Sequence, residues 1–297
     1  MKTQGRKHPG NTLNDLTGKE WIKFTRSWFV CDSPRYWQNK DTELHPARYP
    51  EELVHEFLRF FTKRGGTVLD PFVGSGATLI ACGEAGRRGV GWELNAHYVE
   101  VVRRRLAQAD FALPQHVLQA DARELGNAQV WQQLSLSDWP AWGPCGLPLF
   151  DFIITSPPYW NMLRQTRGRV FSKQQQRRAA GLSTYYSDDP ADLGNIADYD
   201  EFIETLGQVF DAAYELLKRG KYLVVVVQNV RVPEGEVKPL AWDLQHRLSR
   251  RYLFQGERIW CQAEKPLGVW GYPTTFVPNY HHHYCLIFRK GKGGQVC

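Results

Sequence analysis

The sequence predicts a doubly wound α/β fold, in which a mostly parallel sheet is covered by helices on both faces. Three observations carry it. Short apolar runs of strand type alternate with longer segments of helical periodicity. The first four runs end on Asp70, Glu93, Asp121 and Ser156, and open α/β sheets bind their ligands at the carboxyl ends of their strands. A glycine-rich turn joins the first of these runs to a helical pattern, as nucleotide-type sites require.

Residues 1–44 read as an N-terminal extension. After a polar stretch, Thr17-Gly18-Lys19-Glu20 has the capping-box pattern ahead of Trp21, Ile22, Phe24, Trp28 and Phe29, which predicts a short helix packed on the domain. Lys19, Lys23 and Arg26 would form its solvated face, contact with phosphate being the other reading. Residues 51–61 give a second helix, introduced by His45-Pro46-Ala47-Arg48-Tyr49-Pro50.

Thr67-Val68-Leu69-Asp70 is the first strand of the sheet. Pro71-Phe72-Val73-Gly74-Ser75-Gly76 follows, and then a helical pattern through Leu79, Ile80 and Cys82. The turn has neither the Gly-Lys-Ser/Thr ending that grips a triphosphate nor the Gly-x-Gly-x-x-Gly spacing of dinucleotide sites. The next strand, 89–94, carries Glu93 about twenty residues beyond the glycines, where a carboxylate binds ribose hydroxyls. Tyr98, Val101, Val102 and Leu106 set a helix at 96–108, and a third strand, 116–120, leads to Asp121. Each acid alone reads as a solvated loop residue; their succession argues for a ligand edge. Residues 127–149, rich in Trp, Pro and Gly, read as an ordered loop.

The run 150–155 is a buried strand that Pro157 and Pro158 cannot continue, so Ser156-Pro157-Pro158-Tyr159 stands at its carboxyl end. The tetrapeptide has a chemical logic. An exocyclic amine on a base is a poor nucleophile because its lone pair is delocalised into the ring. Oxygens holding its two N–H groups draw the nitrogen towards a tetrahedral geometry while an aromatic face grips the ring, and Ser156, the main chain at Pro157 and Tyr159 offer that set. A turn made rigid by two prolines is the alternative.

Residues 161–198 form an insertion. Its first half holds Arg164, Arg167, Arg169, Lys173, Arg177 and Arg178 with four glutamines and no acid, a composition suited to phosphates and base edges; a solvated loop is the other reading. Phe202, Leu206, Val209, Phe210, Ala213 and Leu217 stripe a helix at 199–218, for which Gly220 supplies the stop. A central strand at 221–230, a helix at 239–251 and two late strands at 252–261 and 284–290 complete the core. His281-His282-His283 does not read as a metal site, because successive strand residues point to opposite faces.

The apolar fraction of 42% supports a substantial core, and the formal charge of +6 suits a phosphate-binding protein. The six cysteines show no Cys-x-x-Cys pair, so neither a zinc knuckle nor a disulfide framework is indicated. The longest aliphatic stretch, 222–227, is far too short to span a bilayer; a reducing cytoplasm is the expected setting.

On these motifs the chain resembles the S-adenosylmethionine-dependent amino-methyltransferases of DNA, which methylate cytosine N4 or adenine N6. The resemblance covers roughly residues 45–290. It implies a Rossmann-like, mostly parallel seven-stranded sheet ending in an antiparallel hairpin, with 45–297 as the catalytic domain. It makes Asp70, Pro71, Phe72, Gly74, Ser75 and Gly76 the cofactor loop, Glu93 the ribose-binding acid and Asp121 the adenine-binding acid. His45 and Pro46 fall beside the methionine end, and Ser156 to Tyr159 become the catalytic motif. Two features depart from relatives with such a loop: the catalytic motif follows the cofactor loop, and no large recognition domain follows Lys290. Pro144-Cys145 mimics the nucleophile of cytosine-C5 methyltransferases but precedes its strand instead of ending it.

The resemblance thus implies methylation of an exocyclic amine in duplex DNA, on a base flipped out of the stack, with no metal and no covalent intermediate. Ser156 with Trp160 after Tyr159 leans towards cytosine N4; adenine N6 is the alternative. Methylation of RNA or of a protein glutamine, and a non-catalytic nucleic-acid binder, are the other classes. Trp160 and the six basic residues of the insertion are the expected DNA contacts, and a cognate restriction endonuclease is the further partner.

Overall fold

The computed structural model describes residues 6–32, 49–143, 145–160, 189–232 and 235–291. His45, Pro46, Pro144 and the six basic residues between Arg164 and Arg178 lie outside the described residues.

The chain begins with helix α1 (Gly18–Phe24), strand β1 (Trp28–Val30) and helix α2 (Glu51–Phe61). An alternating stretch follows: β2 (Thr67–Asp70), α3 (Ala77–Glu84), β3 (Arg88–Glu93), α4 (Ala96–Ala107) and β4 (Gln115–Gln119). The short helix α5 (Ala128–Trp131) precedes β5 (Phe150–Thr155). Then come α6 (Tyr199–Leu216), β6 (Leu217–Val227), the ribbon β7 (Val230–Arg231) with β8 (Val237–Lys238), α7 (Leu240–Leu248), β9 (Leu253–Cys261) and β10 (His282–Arg289).

Eight strands form one sheet in the order β4-β3-β2-β5-β6-β10-β9-β1. All neighbours are parallel except β10, which runs antiparallel to both β6 and β9. Seven strands make the expected sheet with its antiparallel hairpin. The eighth, β1, was not expected: Trp28-Phe29-Val30 comes from the N-terminal extension and pairs with Ile259, Trp260 and Cys261 of β9.

Period-two burial divides the core. Leu223, Val225 and Val227 of β6 pack with α6 and α7, whereas Val224 and Val226 pack with α2 on the opposite face. Helix α2 buries Leu53, Val54, Phe57, Leu58 and Phe61 completely or nearly so, each worth roughly 1.5–3 kcal/mol of transfer free energy. The capping box of α1 forms as predicted, with Thr17 and Glu20 bonding each other's backbone N–H. Phe24 stacks on Phe60 at 4.0 Å. The Arg258 guanidinium lies 4.0 Å from the ring of Phe24 and 4.3 Å from that of Phe29 while pairing with Glu56 at 2.8 Å.

The junction of α6 and β6 differs from expectation. The helix ends at Leu216 and the strand begins at once with Leu217, so Gly220 is not a helix stop. With φ +72° it shapes an irregularity inside β6, where Leu217 faces Phe150 but Tyr222 already faces Phe152. Its amide donates to the Lys290 carbonyl at 3.1 Å, which ties the irregular start of β6 to the end of β10. The 127–149 loop is ordered on Trp131, Leu136, Trp139 and Leu147, all buried, and contains α5.

Candidate active site

The chain runs outward from β2 through β3 to β4 and then returns to the other side of β2 with β5, so the order of strands reverses between β2 and β5. Crevices at such reversals are where open α/β sheets hold ligands. A cleft opens there, walled by Phe72, Gly74, Glu93, Asp121, Ser156 and Pro158 among others. Four separate strand ends thus meet in one site.

Glu93 organises the floor. Its Oε2 accepts the Gly74 amide at 3.0 Å and its Oε1 the Asn95 amide at 2.9 Å. Burial pushes this carboxyl up to about 7, against the pull of those two amides and with the nearby charge of Asp192 adding to the rise. Asp121 accepts from the Arg123 amide at 2.9 Å and from the Arg123 guanidinium, and so caps the single turn Ala122–Glu124. Pro71 and Ser75 also line the cleft.

Several predicted residues sit elsewhere. Asp70 is 1% exposed and does not line the cleft. Its Oδ1 accepts from Thr155 Oγ1 at 2.6 Å and from the Phe72 amide at 3.1 Å, and its Oδ2 from the hydroxyls of Tyr49, at 2.7 Å, and Thr78. It is a latch joining the start of α2, the glycine turn, α3 and the end of β5. Gly76 faces away from the cleft, towards α4. A Cβ there would stand 3.0 Å from Val102 Cγ2, and its φ of +87° is left-handed, so its demand is for close packing of α3 on α4.

In the tetrapeptide Ser156 to Tyr159, Ser156 and Pro158 line the cleft, while Pro157 and Tyr159 do not. Tyr159 is 4% exposed. Ser156 Oγ and Tyr159 Oη are 2.9 Å apart, and Tyr159 Oη donates to the Val226 carbonyl at 3.3 Å. Trp160 is buried too, with its indole N–H on the Ile196 carbonyl at 2.9 Å and its ring edge-on to Tyr199. Tyr159 anchors the tetrapeptide from beneath, and Trp160 fastens the approach to α6. Cys145 is exposed and lies outside the cleft lining. His281 bonds the Asn279 and Lys265 carbonyls, and His283 stacks on Trp260 at 4.6 Å. Among the described residues no group of His, Cys, Asp and Glu is arranged to hold a metal.

Tyr49, Asn95, Tyr98, Asp192 and Leu193 join the cleft wall without having been predicted. Tyr49 belongs to the hexapeptide before α2, and Asn95 follows Glu93 as the N-cap of α4, so both had a nearby signal. Asp192 and Leu193 return from the far end of the insertion, and nothing local marks them. Three carboxyls, Glu93, Asp121 and Asp192, therefore surround a cleft with no lysine or arginine among its described lining residues. Such a site repels phosphates and favours a cation rich in hydrogen-bond donors.

This is the ligand edge of a doubly wound α/β domain built on the methyltransferase plan. The chain belongs to the DNA methylase family, whose model matches residues 2–104 and 150–294; S-adenosylmethionine is the cofactor of that family. The chain is 38% identical over 68 residues to the type II methyltransferase M.HpaI of Haemophilus parainfluenzae, covering 23% of this chain and 22% of that protein. It is 30% identical over 135 residues to the DNA adenine methyltransferase YhdJ of Escherichia coli, covering 45% of this chain and 43% of that protein. The chain thus spans less than half the length of these curated relatives. Among solved structures, TrmN from Thermus thermophilus aligns with a TM-score of 0.44 at 14% identity over 81% of this chain and 48% of that one; so distant a likeness adds nothing to the strand order.

Proposed function

We propose that the protein transfers a methyl group from S-adenosylmethionine to the exocyclic amine of a flipped base in duplex DNA, cytosine N4 in preference to adenine N6. The observation that carries this reading is the shared cleft: Ser156 and Pro158 at the end of β5 wall the same space as Glu93 and Asp121. The amine-orienting tetrapeptide therefore faces a nucleotide-type site.

The cleft suits this cofactor. S-adenosylmethionine is cationic and rich in donors, as three carboxyls require, and Ser75 Oγ, in the cleft wall, is a buried oxygen with no hydrogen-bond partner among the described residues. Glu93 would accept the ribose hydroxyls and Asp121 the adenine amine, while the backbone of Gly74 and Ser75 approaches the cofactor closely. When bound, the cofactor supplies an electrophilic methyl on its sulfonium. Ser156 Oγ and the main chain at Pro157 orient the amine, and positioning of this kind carries most of such a rate enhancement. Tyr159 holds Ser156 in place through the hydroxyl contact. The cytosine preference rests on Ser156 at the first position of the motif and on Trp160 after Tyr159. The insertion at 161–198 is the proposed DNA contact, within a catalytic domain spanning 45–297 that follows the extension at 1–44. A cognate restriction endonuclease is the proposed partner in the cell.

Incubation with methyl-labelled S-adenosylmethionine and duplex DNA, RNA or protein, followed by digestion, tests the reading. N4-methylcytosine in DNA is the expected product. N6-methyladenine would move the specificity to adenine, the base named for the Escherichia coli relative. Label confined to RNA or to glutamine side chains would overturn the DNA reading.

A pH dependence follows from Glu93. Its carboxyl titrates near 7 in the free protein, and donated ribose hydroxyls favour the charged form. Binding therefore releases a proton below this value, and affinity should rise with pH towards a plateau above about 7. The limiting slope is about tenfold per pH unit. Calorimetric titration at a series of pH values should give that slope for the wild type and lose it in Glu93→Gln; equal slopes would remove Glu93 from the site.

A further inference from the structure

The connection between β9 and β10 lies outside the machinery described so far. Strand β9 runs parallel to β1, and β10 runs antiparallel to β9 and β6. The loop 262–281 therefore leaves the sheet at the edge where β5 delivers Ser156. It stays close to that site: His283, just beyond it, has its ring 6.2 Å from that of Tyr159, and Gln228 Nε2 donates to the His282 carbonyl at 2.7 Å.

The loop turns apolar side chains to solvent. Leu267 is 79% exposed, Val269 84%, Tyr272 83% and Phe276 88%. They are the four most exposed of the large apolar residues in the described chain, and they fall within ten positions of one another. The loop is held from within. Asn279 Oδ1 accepts the Gly268 amide at 2.9 Å and the Trp270 indole N–H at 3.1 Å, and its Nδ2 donates to the Gly268 carbonyl at 2.9 Å. Lys265 Nζ closes the base on the Tyr280 carbonyl at 2.7 Å, and the amides of Thr274 and Thr275 both bond the Gly271 carbonyl. These groups are hydrogen-bonded within the loop, whose exposed residues between 266 and 276 are the four apolar ones with Pro266, Gly271, Pro273, Thr274 and Thr275. Large apolar side chains exposed together in one loop are the kind of surface that marks an interaction site.

Resting on the DNA reading above, we propose that loop 262–281 is a nucleic-acid wedge whose Tyr272 and Phe276 stack on bases beside the flipped target. Taking a base out of a duplex to Ser156 would leave a gap in the stack and an unpaired partner base on the side of the sheet from which the loop projects. Apolar and aromatic wedges fill such openings, and every base offers a face on which an aromatic ring can stack. The loop complements the basic insertion: one would supply charge for phosphates, the other uncharged surface for bases.

The test compares the wild-type chain with a Tyr272→Ser/Phe276→Ser variant, using short mixed-sequence duplexes and fluorescence anisotropy across a salt series. Both residues are exposed, so the variant should melt like wild type and bind S-adenosylmethionine unchanged. DNA affinity should fall by about tenfold or more for each stack lost, with the salt slope preserved because no phosphate contact has been removed. Phe276→Trp, which keeps the stacking surface, should retain wild-type affinity. Equal affinities for wild type and the double variant would overturn the wedge while leaving the DNA reading intact. A double variant that binds DNA normally but loses self-association on sedimentation would overturn it in favour of an interface between copies. A wild-type protein that binds no duplex would bring down the DNA reading and the wedge with it.

Discussion

Asp70→Ala is expected to lower the unfolding free energy by roughly 3 kcal/mol or more, because it strands several buried donors at once and each costs about 1–3 kcal/mol unpartnered. The donors are Thr155, Tyr49, Thr78 and the Phe72 amide, and they fasten the end of β5, the approach to α2, helix α3 and the glycine turn. Local geometry also explains the state of the acid. Tyr49 Oη, Thr78 Oγ1 and Asp70 Oδ2 make three mutual contacts, yet two hydroxyls bring only two protons. A proton on Asp70 completes the triangle, one of the two hydroxyls then accepting from Asp70 while the other donates to it, in keeping with burial holding this carboxyl above its ordinary value. Asp70→Asn places an N–H₂ where that proton would be and should cost far less than Ala.

The same acid fixes a sign. A carboxyl raised in the folded state favours folding below its ordinary value, and that contribution is lost as pH rises through the folded value. Wild-type stability should therefore decline with rising pH over that window relative to Asp70→Asn. Urea unfolding of the three proteins at several pH values would measure both effects. An Ala variant within about 1 kcal/mol of wild type, below the cost of a single stranded donor, would show that water satisfies the site and that Asp70 is no latch.

How much of this was legible in the sequence depended on the range of the forces involved. Strands β2 and β5 matched their predicted bounds because each has a short apolar centre, Val68-Leu69 and Phe152-Ile153-Ile154, and prolines soon after its end, Pro71 and Pro157-Pro158. The α6–β6 junction was misread because Leu216 and Leu217 are both buried; helical and strand patterns overlap there, and only pairing with β5 decides where one ends. Strand β1 carried no signal of its own, since Trp28, Phe29 and Val30 are all apolar and too few to show alternation in the sequence, although in the fold only Phe29 turns towards the core. Its partner lies more than two hundred residues away in β9.

The site divides in the same way. Glu93, Asp121 and Ser156 were legible because strand ends are local features and ligands gather at them. Asp192 comes to the cleft by tertiary packing and had no local mark. For Tyr159 and Trp160 the sequence suggested aromatic faces open to a substrate. Their hydroxyl and indole N–H instead find carbonyl partners inside the protein, as buried Tyr and Trp commonly do.

That burial changes what a substitution at Tyr159 reports. Tyr159→Ala would remove a buried ring and cost about 3–5 kcal/mol by leaving a cavity, so loss of activity there would not separate chemistry from folding. Tyr159→Phe is the informative change. It keeps the ring and takes away the hydroxyl that meets Ser156 at 2.9 Å and the Val226 carbonyl at 3.3 Å. Without that contact Ser156 Oγ can turn away from the amine it is proposed to orient, and loss of one oriented polar group at a reacting centre typically slows the chemical step by about 10²–10³-fold. Single-turnover methyl transfer should fall by that order in Tyr159→Phe and in Ser156→Ala. The double variant should be little slower than either single one, since both break the same contact. Cofactor affinity should be unchanged in all three, because Glu93, Asp121 and the glycine turn are untouched. A Tyr159→Phe protein that transfers methyl at the wild-type rate would leave the hydroxyl pair a packing feature and return the task of orienting the amine to the main chain at Pro157.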